Sequence, residues 1–141
     1  MNLKAYFYHW TQEKNISSIQ ENGLLPTAGN YITGVYLSAD PLQLINRPSH
    51  EALIATHLRG LEKHLIAVPD KKWVISKKAI PPNNLIYIGS HFQNEQQLKK
   101  QLQEQKIRYE QTNPRAAWPL RTQHIETLTR RQLREHIYQQ P

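Results

Sequence analysis

The sequence predicts an α+β fold with a mainly antiparallel sheet, and three observations predict it. Short runs of β-branched, aromatic and aliphatic residues fall in two groups along the chain. Helical segments lie between and after those groups. No strand–helix–strand rhythm of the kind that builds a parallel sheet recurs. The 141 residues fit one domain. Residues 1–91 read as its core, and residues 92–141 as a basic extension of the same domain.

The elements follow in order. The first strand covers about residues 4–10, where Tyr6, Phe7 and Tyr8 crowd ahead of His9. Thr11 is placed to cap a helix over about 12–22, with Ile16 and Ile19 turned inward and Gly23 where a left-handed residue ends a helix. Residues 27–34 read as a loop and 35–37 as a short strand. Asp40 and Pro41 suit the cap and first position of a helical turn. Pro48-Ser49 opens an expected second helix over about 50–59, with Leu53, Ile54 and Leu58 as its apolar stripe and Gly60 as its stop. Strands are expected at 64–68, 73–76 and 85–88, the last two joined by a turn through Pro81-Pro82. Residues 93–106 read as a polar surface helix anchored by Leu98 and Leu102. A loop surrounds Trp118, and one more strand covers 123–128. Thr129 with Gln132 forms a capping box for a final basic helix holding Leu133 and Ile137.

Composition narrows the function classes. Lys and Arg number 18 against 11 Asp and Glu, a formal net charge of +7. Half of the basic residues fall in the last third of the chain, so charge density rises toward the C-terminus. Such a field attracts nucleic acid, an anionic surface or a phosphate-bearing small molecule. There is no cysteine, which excludes disulfides, thiolate metal sites and cysteine nucleophiles. The seven histidines lack metal-ligand spacing, so no metal is expected. Neither a Gly-rich phosphate loop nor a nucleophile elbow is present. No apolar run approaches ~18 residues, so no membrane partner is expected. The first residues carry no secretory pattern. The expected location is cytoplasmic, or a target-cell cytosol reached without such a signal.

The informative stretch runs Tyr8-His9-Trp10-Thr11, then Ile16 and Ile19 ahead of Gly23-Leu24-Leu25-Pro26, then Gly34-Val35-Tyr36-Leu37-Ser38-Ala39-Asp40. It resembles the front half of the ADP-ribosyltransferase fold, which writes a first-strand His-x-Ser/Thr, a helix ending in Gly-Leu and a Gly-Ile/Val-Tyr-Phe/Leu strand. The resemblance is closest to the diphtheria-toxin and poly(ADP-ribose) polymerase branch with its His-Tyr-Glu set. The stretch is also similar to thymidine-modifying toxins, to small toxin domains with a His-Tyr-Asp set, and to the NAD-binding lobe of RNA 2′-phosphotransferase. A second match, Trp73-Val74-Ile75-Ser76 through Ile80-Pro81-Pro82 to Leu85-Ile86, is similar to the family's late strand–turn–strand. Together the matches cover roughly residues 5–88.

The resemblance implies a split, mainly antiparallel sheet that binds NAD as a substrate. His9 would bond the adenosine ribose, the Trp10 backbone the nicotinamide amide, and Thr11 the ribose or amide. Tyr36 would stack on the nicotinamide ring, with Asn30 and Tyr31 as a second wall and Gly34 in the same motif. The family's usual first-motif glycine is Trp10 here, a side chain that must point away from the ligand. The family's acid would fall near Lys72 or Trp73, neither of which is a carboxylate. Glu126 on a neighbouring strand, or Asp70, is the candidate substitute. The implied activity is transfer of ADP-ribose to a protein or nucleic-acid acceptor held by the basic C-terminal region, in a toxin or effector with an antitoxin, immunity or host partner. The alternatives are a catalytically degenerate module that binds ADP-ribose, a nucleotide or nucleic acid, and a plain nucleic-acid-binding domain with Trp73, Tyr109 and Trp118 as stacking platforms.

Overall fold

The computed structural model describes residues 6–28, 31–43 and 47–139, the side chains of 136–139 excepted. Strand β1 (Tyr6–Thr11) lies in the middle of one sheet, between β3 (Thr33–Ser38) and β4 (Ala52–His57). Beyond β4 comes β7 (Leu85–Ser90). Beyond β3 come β6 (Trp73–Ser76), β5 (Leu65–Val68) and β8 (Glu126–Thr127). A two-residue strand, β2 (Thr27–Ala28), pairs with the start of β3. The β5–β8 pairing is parallel and the others are antiparallel. With helices α1 (Ile16–Asn22), α2 (Glu95–Thr112) and α3 (Arg130–Gln139), the fold is α+β with a mainly antiparallel sheet.

Strand alternation sorts the side chains into three packed groups. On the α1 side, Phe7, Val35, Leu37, Leu58, Val74 and Ile80 pack together with Ile19 against them. On the other side, Tyr6, Tyr8, Leu53, Ile86 and Ile88 meet Leu98 and Leu102 of α2. Beside that group, Ile66, Val68 and Ile75 meet Leu133 of α3. Leu98 and Leu102 of α2, Ala116 after it and Leu133 of α3 therefore complete the core.

The helix expected over 50–59 is strand β4. Ala52 to Thr56 are all at most 3% exposed, because β4 is covered on both faces and flanked by β1 and β7. A short continuous apolar run is compatible with a buried helix or a central strand, and here two neighbouring strands decide it. Asp40 does turn the chain, its carboxylate accepting from the Leu42 amide at 2.9 Å. The expected 123–128 strand shrinks to Glu126–Thr127 behind a short 3-10 turn, Thr122–His124. The polar helix runs longer than expected, to Thr112, and starts at Asn94, whose side chain accepts from the Gln97 amide at 2.8 Å.

A polar network ties α2 to β1. The Lys106 ammonium lies 4.7 Å from the Tyr6 ring centroid and donates to the Tyr8 hydroxyl at 3.3 Å. The Tyr6 hydroxyl donates to Glu110 at 2.7 Å. Burial lowers the Lys106 pKa and pushes that of Tyr8 up to about 12, with Asp40 adding to the rise. The capping box at α3 forms as expected. Thr129 Oγ1 accepts from the Gln132 amide at 3.0 Å, and Gln132 Oε1 accepts from the Thr129 amide at 2.8 Å.

Candidate functional site

The ladder between β1 and β3 is pinned at Tyr8 opposite Ser38. Past that point the strands part, and the His9 imidazole takes the place of a ladder bond. Its Nδ1 lies 3.3 Å from the Tyr36 carbonyl oxygen. A carbonyl only accepts, so Nδ1 carries the hydrogen, and in the neutral ring Nε2 is left as an acceptor. Burial lowers the His9 pKa. The Tyr36 carbonyl opposes that shift, and His50 adds to it.

A cleft of about 380 Å³ opens where the strands part, walled by His9 and Thr11 of β1, Val35 and Tyr36 of β3, and Asn15, Ser18 and Ile19 around α1. The Gly23–Leu25 exit of α1 and Thr27 close its far side. Gly23 positions that wall. Its φ is +82°, and Leu24 exchanges backbone bonds of 3.0 and 2.9 Å with Ile80. A Cβ on Gly23 would stand 2.2 Å from the Ile80 oxygen, so only glycine fits. Asn15 donates to the Thr11 hydroxyl at 3.3 Å, so Thr11 does not cap the helix by the route expected of it. Asn15 and Ser18 were missed by sequence reasoning. Their signal was their position on the first turn and a half after the His-x-Thr motif.

The two rings on which the family resemblance rests do not face each other. Val35 and Leu37 point to the α1 side, so alternation sends the Tyr36 ring to the opposite face. There it stands edge-on to Trp73, centroids 6.1 Å apart. Its hydroxyl donates to the Ile32 carbonyl at 2.7 Å and accepts from the Ile32 amide at 3.0 Å. His9 and Tyr36 meet through an imidazole and a backbone oxygen. No family model and no curated protein matches the chain.

The remaining expected residues divide clearly. Trp10 points away from the cleft, as its bulk requires. Its indole N–H donates to the Pro41 carbonyl at 3.0 Å and its ring packs between His50 and Phe92. Tyr31 stands on the Tyr36 side, 6.2 Å from Trp73, its hydroxyl accepting from Arg130 Nε at 2.6 Å. That bond lowers the Tyr31 pKa. Gly34 has a packing reason of its own, since a Cβ there would meet Ile75 Cγ2 at 2.7 Å and the Ser76 oxygen at 2.9 Å. Asn30 lies outside the described residues.

The acid does not reach the cleft. Glu126 is exposed on the outer strand β8, three strands beyond β3, which at normal sheet spacing is about 14 Å. Asp70 is used elsewhere, its carboxylate accepting from the Arg130 amide at 3.1 and 3.2 Å at the start of α3. None of the described residues lining the cleft is a carboxylate. Glu51 comes to the end of β1, where its side chain accepts from the Glu13 amide at 3.1 Å.

Proposed function

We propose that the chain is an ADP-ribosyltransferase-like protein that binds NAD where β1 and β3 part, with transfer of ADP-ribose to a protein or nucleic-acid acceptor as its activity. The observation that supports this most is the cleft itself, in which His9, Thr11 and the Tyr36 backbone of one short motif set share a single wall. In this reading the dinucleotide lies in the α1-side cleft, its adenosine ribose donating to His9 Nε2 and its nicotinamide resting along the Tyr36 backbone, which the Tyr36 ring, braced by Trp73 on the other face, holds in place. Nicotinamide leaves with the glycosidic electron pair, and an acceptor nucleophile attacks C1″ of the cationic ribose.

The cleft's polar groups are neutral, whereas the leaving step develops positive charge that a carboxylate would stabilise. That observation favours a second reading, a module that binds NAD or ADP-ribose without turning it over.

Calorimetric titration with NAD, run beside an assay for released nicotinamide, separates the readings. Binding that weakens about tenfold in His9→Ala, the loss of one good hydrogen bond, supports the cleft. Nicotinamide release abolished by both His9→Ala and Tyr36→Ala, each checked for a native circular-dichroism spectrum, establishes the enzyme. Binding without release establishes the module. Absence of any NAD or ADP-ribose binding by the wild type overturns both.

A further inference from the structure

A second cavity, of about 330 Å³, lies on the opposite side of the sheet from His9. It is walled by His57 and Arg59 at the end of β4 and by residues 113–116 just after α2. The two sites are separate. His57 pairs with Tyr6 at the start of β1, and His57, Leu53 and Ala55 alternate onto the α2 side, where His57 stands 5.4 Å from the Tyr109 ring. The volume falls within the usual range of ligand pockets, about 300–1,000 Å³.

The wall is cationic. Arg59 and Arg115 both line it, none of its described residues is a carboxylate, and among the described residues neither guanidinium lies within 4.0 Å of one. The nearby Glu62 carboxylate is occupied by the backbone amides of Gly60 at 2.7 Å and Arg121 at 3.5 Å. Both guanidinium groups are held by one indole, their carbons 4.8 and 5.5 Å from the Trp118 ring centroid. A guanidinium set over an indole keeps most of its edge N–H donors free, and Arg59 uses one of them on the Arg115 carbonyl at 3.2 Å. Two pre-positioned forks of this kind suit a phosphate group. Trp118 is itself 54% exposed, a large aromatic surface presented to solvent beside the cations. His57 Nδ1 is buried without a hydrogen-bond partner among the described residues, which costs free energy unless something meets it.

We infer that this cavity is a single-stranded nucleic-acid site in which Arg59 and Arg115 hold a backbone phosphate and Trp118 stacks on the adjoining base. Nucleic acid is favoured over other phosphate carriers because an exposed indole next to phosphate donors is what an unpaired base requires. The chain's +7 charge supplies the long-range attraction. The inference is independent of NAD in the β1–β3 cleft, since no residue is shared between the two sites.

The test is fluorescence anisotropy with a labelled short polythymidine strand, at several salt concentrations, on the full chain. The wild type is expected to bind, with affinity falling steeply as salt rises. Arg59→Ala and Arg115→Ala should each lower the salt slope by about one unit. Trp118→Ala, a change at an exposed side chain, should weaken binding at least about fivefold with the slope kept. Arg115→Lys, which keeps the charge and loses the fork, should fall between Arg115→Ala and wild type. Arg131→Ala with Arg134→Ala on α3 should leave binding within twofold of wild type, about the reproducibility of such a titration. Inorganic phosphate and a nucleoside monophosphate are added as competitors. If either displaces the strand at equimolar concentration, the site takes a small phosphate ligand and the nucleic-acid assignment falls. It falls equally if the strand does not bind at low salt, if Trp118→Ala binds like wild type, or if the α3 pair carries the effect.

Discussion

His9 joins the sheet, the cleft and the proton balance of the molecule. Burial lowers its pKa below the ordinary 6.5, and burial, helped by Arg59, does the same for His57. Both rings take up protons more readily when the chain is unfolded. The stability they contribute is complete above about pH 6.5 and is lost as pH falls through that value toward the lower folded pKa values. Denaturant midpoints should therefore drop between about pH 7.5 and about pH 5. His9→Asn keeps a donor for the Tyr36 carbonyl but does not titrate, so its midpoint should drop less. An equal drop in that variant would contradict the account. Gly23 gives a second prediction. Gly23→Ala strains a left-handed backbone and drives a methyl group into the Ile80 carbonyl, so it should cost about 2–3 kcal/mol in urea unfolding. It should also disturb the cleft wall, because Leu24 hangs from the same backbone pair. A loss under about 0.5 kcal/mol, ordinary for a surface change, would mean that the bridge relaxes.

Elements with their own start and stop signals were legible in the sequence. The Thr129/Gln132 pair marked α3, and Thr129→Ala should cost about 1 kcal/mol of stability at a helix N-terminus. Circular dichroism during chemical unfolding reads that loss, and no change would mean that Leu133 alone holds the helix. Leu98 and Leu102 marked the buried seam of α2, where Leu98 is 0% exposed. Strands β5, β6 and β7 showed as short apolar runs between turns. The β4 segment was illegible because Ala52 to Thr56 are apolar or small on both sides, so the period that separates helix from strand is missing. The candidate site was half legible. The His-x-Thr and Gly-Val-Tyr motifs located the two strands that part, but the direction of the Tyr36 ring depended on a pleat that cannot be phased from four letters. The position of Glu126 depended on sheet order, which no local pattern encodes.

At the scale of the whole molecule, side chains from residues 1–91 and from α2, α3 and the segment between them pack into shared cores. Leu98, Leu102 and Ala116 pack with Tyr6, Tyr8, Leu53 and Ile86, and Leu133 packs with Ile66, Val68 and Ile75. A fragment ending at residue 91 would expose both of those sheet faces, a contiguous apolar surface of the kind that drives aggregation. It should be insoluble or bind hydrophobic dyes, whereas the full chain should unfold in a single transition. A soluble fragment with native spectra would refute the packing argument. The central place of β1 also has a consequence during synthesis. Strand β1 leaves the ribosome before either of the two neighbours that must clasp it. Tyr6–Thr11 must therefore wait, unpaired and aromatic, until some fifty further residues have been made. That interval is when the nascent chain is most exposed to misassembly, and when a chaperone would have most to protect.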